Sequence, residues 1–190
     1  MTREARLVER TLGAFLASVA STQEPVPAGG SVAAMTGAAS AGLLVLACTV
    51  RQKRDPSALG DARGRAEALQ QQLTALIDDD AAAYVALLSA RRAGEGVGEA
   101  VENAARVPLA IGAACTEVVH LAQEVEQETR GALLGDVRGA RTLAGAAAAV
   151  AFALAEQDCA LVDQPARQTL LDEVEAARSP LRKIDTTSSA

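Results

Sequence analysis

Asp80 is the carboxylate whose position most needs a chemical explanation. Leu69, Leu73, Leu76, Tyr84 and Leu87 recur at spacings of four and three, the pattern of an amphipathic helix over about residues 58–92. On a wheel of about 100° per residue with Leu69 at zero, Leu73 falls at about 40°, Leu76 at about 340° and Tyr84 at about 60°. Asp80 falls at about 20°, in the middle of that stripe, whereas Asp78 at about 180° and Asp79 at about 280° face water or a flank. A carboxylate aimed into a core needs a partner or a raised pKa, because burying its charge is costly. Asp80 is therefore a candidate general acid or base. The alternative is a structural carboxylate paired with an arginine of another helix. Tyr84, one turn further on, is a core residue or part of the same site.

The second place where chemistry is possible is Pro25-Val26-Pro27-Ala28-Gly29-Gly30-Ser31 and the uncharged run Val32–Val50 behind it. Prolines stop what precedes them and glycines admit unusual backbone angles. Ser31 is a good N-cap, so a helix from about Ser31 to Lys53 is expected. The backbone N–H groups of its first turn are free to meet an anion or a polar ligand edge; the plainer reading is a capped core helix. Arg51, Lys53 and Arg54 close this helix, either as cations favoured by its C-terminal dipole or as an anion-binding group. Asp136, after the glycine turn Gly131–Gly135, is an N-cap of the next long helix, a site residue, or both. His120 falls off the apolar face of its helix. No Ser-His-Asp set, P-loop or dinucleotide fingerprint is present.

These residues require an all-α scaffold. Aromatic residues make up only 2% of the chain, and helix formers and small residues dominate, so closely packed helices in one domain are expected. The expected elements are an amphipathic helix over 2–20 with Leu7, Leu12, Phe15, Leu16 and Val19 on one side, and the helix after Ser31. Helices over about 58–92, 99–128 and 137–162 follow, then a shorter charged helix over 167–178. This gives a bundle of five to six helices over 1–184 and a disordered tail over 185–190. Val101, Ala105, Pro108, Gly112, Cys115, Val119 and Ala122 form the apolar side of the fourth helix, where Pro108 is expected to kink it or start a new one.

The formal net charge of −6 and the lack of stacking aromatics argue against a nucleic-acid binder. Cys48, Cys115 and Cys159 are far apart in apolar settings without metal-ligand spacing, so no metal is expected and buried thiols of a cytoplasmic protein fit best. The N-terminus does not read as a signal peptide, because Arg3–Arg10 mixes acids with bases. Val32–Val50 followed by a basic cluster formally resembles a membrane span. Its Ala, Gly, Ser and Thr content argues against one, and Leu143–Ala155 is too short to be another.

The order of these pieces resembles the cyclodeaminase/cyclohydrolase family. Phe15–Ser21 and Pro25–Ala34 are similar to its opening, which ends P-x-P-G-G-G-S-x-A-A. Thr49 to Arg54 looks like T-V-G-K-K-K-Y, with Lys53 on a lysine. Leu76–Tyr84 is similar to L-I-D-x-D-x-x-A-[FY], Val107-Pro108-Leu109 matches V-P-L, and Gly135-Asp136 stands where the family has S-D. The resemblance spans most of residues 12–162. It implies an all-helical homodimer acting on a one-carbon derivative of tetrahydrofolate, the substrate, with no other cofactor. The cyclohydrolase adds water across a methenyl bridge; the cyclodeaminase closes a formimino group into that bridge and releases ammonia. By position, Asp80 and Asp136 would be the acid/base pair. Gly29, Gly30 and Ser31 would border the pterin, with Tyr84 beside them, and Lys53 would hold or polarise substrate.

Several positions depart from that pattern. Ala28 replaces the first glycine of the triple, Gln52 interrupts the lysine run, and Asp55 replaces its closing tyrosine. Gly131-Ala132-Leu133-Leu134 replaces an N-P-N-like turn. Leu154 and Asp158 stand where N-V-x-I-N-L has its two asparagines. These departures motivate an alternative, a non-enzymatic relative that binds folate or scaffolds a partner.

Overall fold

The computed structural model describes residues 6–21 and 27–187, with side chains as far as Leu181. A 3-10 turn, Leu7–Glu9, precedes six helices: α1 (Leu12–Val19), α2 (Gly29–Gln52), α3 (Ala62–Ala93), α4 (Val97–Glu128), α5 (Leu133–Cys159) and α6 (Ala166–Thr187). No strand occurs among the described residues.

Helices α2 to α5 form an antiparallel bundle whose register is set by close contacts. Ser31 of α2 meets Ile77 and Asp80 of α3. A Cβ on Gly37 would reach Leu73, and one on Gly42 would reach Gln70. Along α4 and α5, Gly112 lies against Phe152, and Glu126 pairs with Arg138 and Arg141. Arg65 near the start of α3 pairs with Glu124 near the end of α4. Gly29 at the start of α2 lies against Leu154 near the end of α5. The bundle therefore has two ends. One carries the start of α2, the later turns of α3 and the end of α5. The other carries the end of α2 and the start of α5.

The core lies between these four helices and is built from small residues with a few large ones, among them Phe152, Leu44, Leu73 and Ile111, all fully buried. All seven apolar positions expected on α4 are buried, and α4 is one continuous helix through Pro108. Cys48, Cys115 and Cys159 are buried free thiols, and burial pushes Cys115 up to about 12. Among the described residues three helices, α2, α4 and α5, are long and apolar enough by length and composition to cross a membrane. The expectation that the run at Leu143–Ala155 is too short is thus corrected, because the helix that holds it, α5, meets the length and composition of a span. About half of the apolar window in α2 and in α4, and 39% of that in α5, is buried inside the bundle.

The N-terminal expectation is corrected. The chain turns extended at Arg10 (ψ 152°), and Thr11 caps a separate short helix by accepting from the Ala14 N–H at 3.2 Å. This break changes the helical phase, so Leu7 and Phe15 are buried while Leu12, Leu16 and Val19 are exposed. Asp78 fastens this segment to α3 by accepting from the Leu7 N–H at 2.6 Å and from Arg6 Nε at 2.8 Å. At the other terminus α6 carries helical backbone to Thr187, past residue 185 where a tail was expected. Residues 188–190 lie outside the described part.

Candidate functional site

α2 begins at Gly29 with Ala28 at its N-cap, and no side chain caps it. Ser31 is thus the third residue of the helix and not its cap. Its backbone N–H, one of the donors that a helix start leaves unpaired, donates to Asp80 Oδ2 at 2.7 Å. Its hydroxyl lies 2.8 Å from the same oxygen and 3.1 Å from the Ile77 carbonyl. A hydroxyl has one hydrogen, and the charge-assisted contact with the carboxylate is the stronger claim on it. The anion met by the glycine-rich start of α2 is therefore the protein's own Asp80, reaching across from α3. A negative group there is favoured by the helix dipole.

Two expectations for Asp80 are resolved here. It is aimed inward, and its partner is Ser31 rather than an arginine. Burial pushes its carboxyl above the usual range, and the two bonds from Ser31 offset part of that rise. Gly30 is required at this point, because a Cβ on it would overlap the Asp80 carboxyl group. A carboxylate with one oxygen held and a raised pKa is a better proton acceptor than an ordinary one and can take a proton from water and return it.

α5 completes the surroundings. A Cβ on Gly29 would stand 3.2 Å from Leu154 Cδ1, so Leu154 covers that glycine closely. Asp158, one turn further on, is an electrostatic neighbour of Asp80 and of Arg91 in the last turn of α3. Burial is the main cause that raises Asp158, repulsion from Asp80 adds to it, and Arg91 opposes it. Sequence reasoning noticed Leu154 and Asp158 only as replaced asparagines and missed Arg91. Their i, i+4 spacing on α5 was the available signal, but it does not say which helix end they meet.

The remaining expected site residues lie elsewhere or in other settings. Tyr84 is 51% exposed and is not a core residue. Asp80 already meets the first turn of α2, so Tyr84, one turn beyond, has no α2 side chain to pack on. Lys53 is exposed at the C-cap of α2, about 33 Å from Ser31 at 1.5 Å per residue. Asp136 is exposed in the first turn of α5; the N-cap of that helix is Ala132, so the capping expectation is corrected. Asp136 lies at the Lys53 end of the bundle. One chain thus brings Gly29, Gly30, Ser31 and Asp80 together and holds Lys53 and Asp136 far from them. No group of three or more metal-type side chains occurs among the described residues.

A helical bundle with a carboxylate held at the start of a glycine-rich helix is the class that fold and site define. A sequence model of the formiminotransferase-cyclodeaminase family matches residues 11–176, and the chain belongs to that family. It is 33% identical over 135 residues to a methenyltetrahydrofolate cyclohydrolase of Methylorubrum extorquens, covering 62% of this chain and 64% of that protein. Its fold matches the crystal structure of formiminotetrahydrofolate cyclodeaminase from Thermotoga maritima with a TM-score of 0.81. That match covers 92% of this chain and 91% of the other at 21% identity.

Proposed function

We propose that this protein is a methenyltetrahydrofolate cyclohydrolase in which Asp80 is the general base. Membership of the family and the likeness to the Methylorubrum enzyme support the substrate class. The observation that carries the chemistry is the Asp80 carboxylate, raised by burial and oriented by Ser31. Asp80 takes a proton from water as the water oxygen bonds to the methenyl carbon. The carbon–N5 bond then breaks, N5 receives the proton from Asp80, and the hydroxyl proton leaves to solvent. The products are the 10-formyl compound and one proton.

The reading includes a second copy of the chain. The outward side of α5 carries Thr142, Leu143, Ala146, Ala149, Val150 and Ala153, all exposed, and has no charge from Thr142 to Ala155. Leu46 of α2 is exposed as well. A copy packed antiparallel on this face covers apolar surface and brings Lys53 and Asp136 of the partner subunit to the end that holds Asp80. In this arrangement the expected acid/base pair forms between subunits.

Loss of methenyltetrahydrofolate absorbance with purified protein tests the activity. Wild type is expected to exceed the buffer rate, and Asp80→Asn to lose activity by about 100-fold or more, the usual size of a general-base effect. Turnover no faster than buffer removes the cyclohydrolase reading. Ammonia release from the formimino compound in its place makes the protein a cyclodeaminase.

A further inference from the structure

We propose that Arg51 is a specificity-determining residue that holds a carboxylate of the glutamate tail of the folate substrate. This rests on the folate reading and the shared site above, and adds to them a residue with a stated task.

Arg51 lies on the buried side of α2. Leu44, Ala47 and Cys48, which precede it by seven, four and three residues, are fully buried, and these spacings put all four on one helix face. A cation thus ends an apolar stripe. Arg51 is half-buried there, and its Nε is shut off from water with no hydrogen-bond partner, the one such side-chain atom among the described residues. An N–H left in that state is costly, and the cost ends when an acceptor reaches it.

No described carboxylate is that acceptor. Asp55, which feels Arg51 electrostatically, accepts instead from the N–H and the hydroxyl of Ser57 at 3.0 and 2.7 Å. Glu124 pairs with Arg65, and Glu126 with Arg138 and Arg141. Lys53 and Arg54, exposed just beyond, also form no ion pair among the described residues. Gln52 donates to the Ala58 and Gly60 carbonyls, each at 3.3 Å, so its amide is spent on the turn after α2. Arg51 stands at the glycine of T-V-G-K-K-K-Y and restores the cation that Gln52 removes.

A guanidinium offers Nε and one Nη as parallel donors, a fork that fits a carboxylate and that an ammonium cannot form. A carboxylate that meets the Nη groups draws Nε out of its unpaired burial into this fork, and Lys53 adds charge. Arg51 is about 30 Å along α2 from Ser31, so it does not serve the Asp80 of its own chain. In the antiparallel pair it serves the site at the partner subunit's Asp80, with the reacting carbon at one end of the ligand and the glutamate at the other.

The test has two arms. p-Aminobenzoylglutamate, the tail without the reacting ring, is titrated into protein carrying 15N-labelled arginine side chains. Inorganic phosphate and neutral p-aminobenzamide are the controls. A saturable shift of the Nε–H signal that is absent from Arg51→Lys is expected with p-aminobenzoylglutamate alone. No saturable response, or an equal one to phosphate, overturns the proposal. In the kinetic arm, Arg51→Leu is expected to raise KM for methenyltetrahydrofolate about tenfold, the size of one charge-assisted contact, with kcat within about twofold. This gap closes for the methenyl compound of pteroic amide, which has no glutamate. Its melting temperature is expected not to fall, since the variant removes an unpaired buried donor. An unchanged KM, an equal rise for both substrates, or a monomer by ultracentrifugation overturns the proposal. Should wild type show no methenyl turnover, the cyclohydrolase reading falls, and the p-aminobenzoylglutamate titration alone decides on Arg51.

Discussion

Ser31 and Asp80 form the smallest unit on which the site depends, and each was visible in the sequence for a different reason. Asp80 interrupts an apolar stripe, and Ser31 follows two glycines at a helix start. Their pairing was not visible, because a wheel gives the direction of a side chain and not what lies opposite. Ser31→Ala removes a hydroxyl that contacts a carboxylate at 2.8 Å and leaves the backbone donor in place. The expected cost is about 1.5–3 kcal/mol in chemical denaturation, together with a lower kcat as Asp80 loses its orientation. Asp158 gives a pH prediction at the same scale. Its folded pKa is raised, so the folded state holds the proton more tightly than the unfolded state. Its contribution to stability is complete below the unfolded carboxyl pKa and is lost as pH rises through the folded value. Asp158→Asn removes that loss. Its melting temperature relative to wild type is expected to rise as pH increases above the ordinary carboxyl range, measured by calorimetry at each pH.

Glycines decide how closely the helices approach, and they do not all weigh the same. A Cβ at Gly112 would lie 2.6–2.9 Å from atoms of the Phe152 ring, which is fully buried and has nowhere to move. Gly112→Ala is expected to cost about 1–3 kcal/mol, read from the urea midpoint. At Gly42 the atom in the way is Nε2 of Gln70, the end of a flexible side chain, at 2.9 Å. Gly42→Ala is therefore expected to be neutral or to stabilise by up to about 1 kcal/mol, since alanine is the better helix former. Element existence was legible from period and punctuation: α2 to α5 lie close to where the apolar spacing puts them, α6 begins where expected but runs on to Thr187 past the expected end at 178, and every expected inward position of α4 is buried. The N-terminal helix was misread because apolar residues continue at helical spacing across Arg10, where the backbone is extended. Its tertiary bond to Asp78 decides the geometry there.

At the scale of the molecule, the separation of Lys53 and Asp136 from Asp80 is the fact with most consequence. If the site is shared between copies, Ala146→Glu on the exposed side of α5 places a charge in the contact and gives a monomer by analytical ultracentrifugation. Activity is lost although Asp80 and Ser31 are untouched. Mixing inactive Asp80→Asn with inactive Lys53→Ala protein is then expected to restore part of the activity, since one hybrid site keeps both residues. A monomer with full activity would rule the shared site out.

What the sequence determined by itself is local: the helices, the inward aim of Asp80 and the glycine-rich start of α2, which follow from periodicity and turn chemistry acting over a few residues. The family resemblance rests on the order of its short motifs. What only the tertiary structure decided is pairing across long separations. It gave Ser31 to Asp80, made Asp158 an electrostatic neighbour of both Asp80 and Arg91, left Tyr84 exposed, and put Lys53 and Asp136 at the far end. Those outcomes depend on the direction and register of packed helices. Register here is fixed by shape at residues such as Gly29, Gly37 and Gly112, each of which lets a particular neighbour approach.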